Sequence, residues 1–243
     1  MLVILGLLTG GILAGRSLIR ASELRSVTSE ADKHKTSIMS FRGKYLGLPG
    51  DLTNATAFWG KDATLCNSHT GTAATPGTCN GNGSGVISDL GVGVESYRAW
   101  QHLSFAGIIE GNYAGTITNS ITTSVLGIDI PASKLANAGW TFVDFSQLAS
   151  VNDELGYTDL PNTRLNMLFI GGVRPLSANR WANLTVLRPE EAWNIDTKID
   201  DGMPGKGKIR GGRHTTCTTG STSDSEYQLQ LNDTRCFLGF QFL

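Results

Sequence analysis

The sequence is poor in charge and lacks the motifs that mark common enzyme classes. Charged residues make up 17% of the 243 residues and the net charge is −1, so we expect no specific nucleic-acid partner. The chain has no GxSxG nucleophile elbow, no HExxH zinc motif and no P-loop. Its four histidines, His34, His69, His102 and His214, are scattered. These absences predict a protein that is not an enzyme and requires no cofactor.

A second absence concerns the start of the chain, where the first fifteen residues carry no charge and Arg16 follows at once. A helix of that length reaches only about 22 Å, less than the ~30 Å hydrocarbon core of a bilayer. We interpret the run as part of a membrane span, with a signal-peptide hydrophobic region or a buried core helix as the alternatives. No basic residue precedes the run and its helical pattern continues past Arg16, which argues against a signal peptide.

Glycines occur within this apolar run at helical spacing. Gly6 and Gly10 are four residues apart, and so are Gly11 and Gly15. Small residues at that spacing clear one face of a helix, so that a second helix can approach closely in an apolar environment. Glycine is also simply common in membrane helices, which is the alternative explanation.

Beyond Arg16 the pattern becomes amphipathic and remains helical to about Tyr45. Its apolar face is formed by Val27, Ala31, Ile38, Phe41 and Tyr45. We expect the other faces to meet solvent or neighbouring subunits; they carry Arg20, Glu23, Arg25, Glu30, Asp32, Lys33, His34, Lys35, Arg42 and Lys44. The segment 47–50, which contains two glycines and a proline, is predicted to end the helix.

Residues 48–243 are long enough for one domain with its own core. Short helices are predicted from Leu52, capped by Asp51 or Thr53, over 94–106 and from Arg188, where Glu190 and Glu191 suit a helix start. The inner face of that last helix is predicted to be Ala192, Ile195 and Ile199. Strands are predicted at 139–145, 165–173, 207–211 and 236–242. The predicted fold is α+β, with an antiparallel sheet packed on the long first helix (1–47).

The four cysteines form two close pairs, Cys66 with Cys79 and Cys217 with Cys236. Neither pair has zinc-binding spacing, and each encloses a loop rich in small polar residues. We predict two local disulfides and an oxidising compartment, with four free thiols in a cytoplasmic protein as the alternative. The basic residues after the apolar run favour a cytoplasmic domain by the positive-inside rule, but the cysteines weigh more.

Two loops are candidate Ca²⁺ sites. The first has the alternating oxygens of an EF-hand loop at Asn80, Asn82 and Ser84, with Asp89 as its carboxylate, although Gly91 stands where glutamate is usual. A glycine-rich turn is the alternative. The second is the group Asp196, Asp200 and Asp201 before Gly202, with solvation of acids at a helix C-terminus as the alternative. Two acids there oppose the macrodipole, which a bound cation, or the nearby Lys198, Lys206 and Lys208, would relieve.

Two stretches near the start, LVILGLLTGGILAGRSLIRASELR and FRGKYLGLPGDLTNATAFWG, resemble the N-terminal region of bacterial type IV pilins and type II secretion pseudopilins. The later stretches WQHLSFAGIIEG and LRPEEAWNIDTKIDDGMPGKGKIRG match a glycine-rich branch of these prepilin-like proteins. The resemblance implies cleavage by a prepilin peptidase, methylation of the new N-terminus and helical filaments whose core is the apolar helices. In some pseudopilins the C-terminal loop holds calcium, which bears on the second candidate Ca²⁺ site.

The sequence departs from the family at its start, where the family reads like FTLIEL with a glutamate that registers subunits during assembly. Aligned on the glycines, the resemblance implies about eight further residues, which would extend the apolar run to roughly 23, the length of a membrane span. The implied filament interface comprises Leu2, Leu5, Gly6, Gly10, Gly11, Ile12, Gly15 and Leu18.

The resemblance leaves three functions open. The chain is a structural pilin, a pseudopilin whose short filament pushes proteins out of the cell, or a minor tip pilin in adhesion or DNA uptake. In each case the expected partners are copies of the chain and an assembly machine. The expected location is the inner membrane, facing the periplasm, before assembly and the cell surface afterwards.

Overall fold

The computed structural model has the predicted α+β architecture, with one long N-terminal helix and a four-stranded antiparallel sheet. The structure describes residues 2–66, 73–88, 95–116, 124–144, 165–173, 182, 184–212 and 214–242. The following descriptions apply to these ranges.

Helix α1 spans Leu2–Tyr45. The predicted apolar face is confirmed, because Val27, Ile38 and Phe41 are fully buried and Ala31 is nearly so. This spacing places all four side chains on the side that meets the folded domain. The helix ends where Leu46 adopts a positive φ of 59°.

The four-stranded sheet contains β3 (Gly139–Asp144), β4 (Asn166–Gly171), β5 (Ile209–Gly211) and β6 (Leu238–Gln241). Its order is β3-β4-β6-β5, and every neighbouring pair is antiparallel. Each strand lies within one of the four predicted ranges, so their positions were predicted correctly.

Both faces of the sheet are buried. On one face Trp140 and Ile170, and next to them Leu168 and Phe240, join the main core together with the apolar face of α1. On the other face a smaller cluster contains Val143, Met167, Phe169 and Phe237. Burial on both faces explains why these strands read as nearly continuous apolar runs.

Helix α3 (Glu95–Phe105) contacts both α1 and strand β3 and supplies Tyr97, Trp100 and Leu103 to the core. Helix α4 (Pro189–Ile199) packs on α1 nearer the N-terminus. Short elements complete the described fold: α2 (Ala55–Trp59), the parallel pair β1 (Lys61–Asp62) and β2 (Ala73–Ala74), and α5 (His214–Cys217).

Two local predictions were wrong. Helix α2 begins after Asn54, not after Asp51 or Thr53, because the Asp51 carboxylate is used elsewhere. Helix α4 buries Ala192 and Ile195 as predicted, but Ile199 is 42% exposed at the helix end. Asp196 is buried in its place.

Candidate functional site

The first half of α1 projects from the folded domain. In the described part of the chain, the first side-chain hydrogen bonds from α1 to the domain are those of Arg20, and the preceding residues 2–19 form about 27 Å of helix. We call residues 2–19 the projecting segment. Four of its apolar side chains are more than half exposed: Ile4, Ile12, Leu18 and Ile19. A water-exposed apolar helix of this length indicates an interaction surface.

Gly10, Gly11 and Gly15 of the projecting segment have free space where a side chain would lie. A Cβ built on Gly10, Gly11 or Gly15 would meet no atom within 4 Å. Of the predicted filament interface, Gly10, Gly11, Ile12 and Leu18 are exposed and Gly15 is partly so. Leu2, Leu5 and Gly6 lie in the same helix, but the surroundings of their side chains are outside the described part.

Among the described residues, no helix has an apolar stretch long enough to cross a bilayer.

A charged clamp holds α1 to α4 where the projecting segment begins. Arg20 donates from Nε to Glu191 Oε1 (2.8 Å) and from Nη2 to Glu191 Oε2 (2.6 Å), and Nη2 also reaches the Val186 carbonyl. Burial alone would raise the pKa of Glu191, but hydrogen bonds from Arg20 and Arg188 outweigh it and lower the pKa. Arg20 was expected to face solvent or a neighbouring subunit, and this is wrong, because its guanidinium pairs with Glu191, which is 171 residues away in sequence.

A second polar contact fixes α1 further along. Glu30 accepts hydrogen bonds from Trp140 Nε1 (2.8 Å), Ser133 Oγ (2.6 Å) and the Lys134 backbone N–H (3.0 Å). Glu30 was also expected to face solvent. Its three donors come from the domain, so this carboxylate joins the helix to the sheet.

His34 was predicted on the polar face, and this is wrong. Only 8% of it is exposed, and its ring packs at 5.0 Å from the Trp100 ring and 5.4 Å from the Trp140 ring, measured between centroids. Burial lowers the pKa of His34 to about 4, so the ring is neutral near pH 7.

His102 is fully buried in the core, and both of its ring nitrogens are hydrogen-bonded. Its Nδ1 accepts the Gly50 N–H (3.0 Å), and its Nε2 lies 2.9 Å from Thr78 Oγ1. Because the Thr78 hydroxyl donates to Gln101 Oε1, the ring must donate from Nε2. Burial, with the charge of Arg98, lowers the pKa of His102 to about 3. Both polar atoms are used inside the core.

The acids Asp196, Asp200 and Asp201 converge after the end of α4, with carboxylate oxygens within 4.8 Å of one another. Burial raises the pKa of Asp196 to about 6, and the charges of Asp201 and Asp200 add to this, against hydrogen bonds from Tyr227 and Gly202. Three convergent carboxylates are a donor set that suits Ca²⁺. The structure therefore brings together the residues of this candidate site.

The other candidate Ca²⁺ loop has a different arrangement. The backbone N–H groups of Gly83, Ser84 and Gly85 all donate to the Asp51 carboxylate, which is buried under the loop. A Ca²⁺ loop presents oxygens to its centre, whereas this one presents N–H donors. Asn82 Oδ1 accepts the Ser84 N–H, and Asn80 Oδ1 accepts the Thr56 N–H (2.8 Å).

Asp89 lies outside the described residues, so its place relative to this loop is not known. The described geometry favours a glycine-rich turn closed around a buried carboxylate. Sequence reasoning missed Asp51, although its position just before the predicted helix had suggested a cap.

Both predicted disulfides are present, Cys66–Cys79 and Cys217–Cys236. The second is fully buried, and it ties the end of α5 to the residue two places before β6. No known protein family, curated protein or solved structure matches the chain.

Proposed function

We propose that the chain is the structural subunit of an extracellular type IV pilus-like filament. The observation that carries the proposal is the projecting segment, an exposed apolar helix rigidly continued into the domain. Packing such helices side by side removes apolar surface from water, and the open glycines let the backbones approach closely. The domain then remains on the outside of the assembly. The resemblance of residues 2–25 to pilins and pseudopilins supports the same conclusion.

The clamp between Arg20 and Glu191 supports this proposal mechanically. Force between packed helices reaches the domain through the first residues that hold α1 to it. Ion pairs at that boundary, followed by Glu30 and the buried apolar face, keep the helix and the domain as one body. Before assembly, the subunit is stored with this helix in the inner membrane and its domain facing the periplasm.

A second candidate function is that of a secretion pseudopilin. The convergent acids Asp196, Asp200 and Asp201 favour it, because the resemblance associates calcium in this loop with pseudopilins. Abundance separates the two functions, since a pilus subunit dominates material sheared from cells whereas a pseudopilin does not.

The test replaces Ile12, which is 57% exposed on the projecting segment, by lysine. Ile12→Lys places a charge in the helix-packed core, so we expect at least a tenfold loss of sedimentable filament while the thermal unfolding of the domain is unchanged. Leu229→Lys, at a 44% exposed position of the domain, is the matched control and should retain filaments. Unchanged filament yield in Ile12→Lys, or the absence of this chain from sheared surface filaments, would overturn the proposal.

A further inference from the structure

The residue that ends α1 is unusual in two respects. Leu46 has a positive φ of 59°, a conformation that glycine adopts readily and leucine does not. Its side chain is also 91% exposed, the highest value among the exposed large hydrophobic residues. A leucine here strains the backbone and gains no burial within one chain. Residues with such a backbone conformation are concentrated at functional sites.

Leu46 borders a groove of about 450 Å³ at the end of α1, which we call the Leu46 groove. Its lining includes Arg42, Leu46, Leu48, Leu52, Thr53 and Asn166, and also Asp51, whose carboxylate is buried and accepts the N–H groups of Gly83, Ser84 and Gly85. The leucines supply apolar walls, and Arg42 supplies a positive charge at the rim. Arg42 is exposed and makes no ion pair within the described ranges. The groove is thus suited to an apolar ring accompanied by a negative charge.

A surface of that chemistry is present elsewhere on the same chain. Trp193 on α4 is 37% exposed, and Glu190 lies one helical turn before it, also exposed. Residues three apart share a helix face, so Glu190 and Trp193 lie on one face of α4, with the indole Nε1 beside Gly202. Glu190 forms no ion pair with another described residue. Trp193 and Glu190 therefore form an apolar and acidic knob that complements the Leu46 groove.

The knob and the groove lie at opposite ends of the domain. Asn194 and Ile195, next to the knob, line a groove against Leu24 of α1, whereas the Leu46 groove is at residues 42–46. The distance along α1 is about 30 Å at about 1.5 Å per residue. A knob therefore cannot enter the groove of its own chain. It can enter the groove of a second copy, and repeating that step gives an open series of subunits.

We propose that Trp193 of one copy inserts into the Leu46 groove of the next copy, with Glu190 paired to Arg42. The contact rests on the proposed assembly into a filament and adds a head-to-tail interface between neighbouring domains to the helix packing. It is small compared with a stable dimer interface, so it acts only together with the packed helices, which hold neighbouring domains at high effective concentration. In this contact the Trp193 indole of one copy lies near the Arg42 guanidinium of the next, and a cation–π interaction between them further stabilises the interface.

The experiment uses the full chain with single added cysteines and its native disulfides intact. Thr53→Cys lies at the groove and Thr197→Cys lies one turn after Trp193; both positions are exposed, and neither change removes the proposed contact. A bismaleimide crosslinker applied to filaments that contain both variants should join them. We expect a heterodimer yield at least tenfold above that of filaments pairing Thr197→Cys with Leu229→Cys.

Charge exchange and a glycine variant then test the chemistry. Arg42→Glu in the Thr53→Cys chain should lower the yield at least fivefold, and Glu190→Arg in the Thr197→Cys chain should restore it. Leu46→Gly should relieve the positive φ, so the monomer keeps its thermal stability, yet the crosslink should fall at least fivefold.

Filaments that form normally but give no heterodimer above the Leu229→Cys control would overturn this contact and leave the proposed function standing. Homodimers of Thr53→Cys in place of heterodimers would show a symmetric interface, and would also overturn it. Retention of the crosslink in Leu46→Gly and Arg42→Glu would show that another surface brings the domains together.

Discussion

Arg20 and Glu191, which are 171 residues apart in sequence, form a two-point ion pair with N–O distances of 2.8 and 2.6 Å. The Glu191 side chain is 4% exposed and that of Arg20 is 28% exposed, so the pair is largely shielded from water. It lies where the projecting segment meets the domain. Its position makes it the first attachment point of α1.

Removing the arginine side chain should destabilise the domain. We expect Arg20→Ala to lower the free energy of unfolding by about 2 kcal/mol, because a buried carboxylate loses two charge-assisted hydrogen bonds. Arg20→Lys should lose less, since lysine keeps the charge but not the two-point geometry. Urea denaturation measures both. Arg25→Ala is the control, because Arg25 is exposed on the same helix, and a similar loss there would argue against the clamp.

Acid should destabilise the protein through His34. The ring of His34 has a pKa of about 4 when folded, against about 6.5 when unfolded, so the unfolded chain binds more protons between these values. The free energy of unfolding should therefore fall as the pH falls from 6.5 to 4, by about 2 kcal/mol from this residue. His34→Phe should reduce the difference in stability between pH 7 and pH 4.5, measured by urea denaturation.

A second variant, His102→Gln, tests the same principle at another buried imidazole whose pKa is lowered. It should also flatten the acid branch of the stability profile, and the two effects should add. A profile of His34→Phe that parallels the wild type would show that His34 protonates without cost in the folded state.

Calcium should stabilise the protein in a pH-dependent manner. At a hundredfold excess over its Kd, bound Ca²⁺ would add about 2.7 kcal/mol to the free energy of unfolding. Because the pKa of Asp196 is raised to about 6, protons compete with the metal below that pH. We expect a calcium-dependent rise in Tm at pH 7.5 that shrinks at pH 5, and its loss in Asp200→Asn with Asp201→Asn.

The raised pKa of Asp196 also predicts how the stability of the protein depends on pH in the absence of calcium. In the folded protein Asp196 keeps its proton up to a higher pH than in the unfolded chain. The contribution of Asp196 to the free energy of unfolding is therefore lost as the pH rises from about 4 to 6. Asp196→Asn should remove that loss. A Tm at pH 7.5 that is the same with chelator and with millimolar calcium would rule out the metal site.

The buried disulfide Cys217–Cys236 should make a measurable contribution to the free energy of unfolding. Cys217 and Cys236 are separated by 19 residues, and closing such a loop contributes about 3 kcal/mol in the chain-entropy model. We expect Cys217→Ala with Cys236→Ala to lower the free energy of unfolding by about that amount. The same measurement on the wild type after reduction is the control. Protein from the cell exterior that reacts with a thiol reagent after denaturation, without reductant, would contradict the prediction.

Periodicity was the strongest source of correct predictions. The spacing of Val27, Ala31, Ile38 and Phe41 located the buried face of α1, since a regular helix repeats its orientation every 3.6 residues. Runs of apolar residues located the four strands for a similar reason. Proximity in sequence paired the cysteines correctly, because a short loop holds its two ends close together.

Polar side chains were predicted less well. Arg20, Glu30 and His34 were assigned to the polar faces of α1 because of their residue type. At 3.6 residues per turn, however, Arg20 and His34 lie in line with the apolar stripe of Val27 and Ile38. Each is instead buried or paired by a residue more than sixty positions away: Glu191, Trp140 and Trp100, respectively. The helical spacing places Arg20 and His34 on the buried side of α1, but it does not identify their distant partners.

The sequence by itself determined the elements of this protein: an uncharged helical start, an amphipathic continuation, four strands and two closed loops. These features depend on periodicity, turn residues and short separations, which are local properties of the chain. Only the tertiary structure decided which charges are buried, that the glycine loop closes around Asp51, and that an exposed groove and an exposed indole lie at opposite ends of one domain. Those outcomes depend on the docking of distant segments, whose mutual orientation is set by the packing of the whole core.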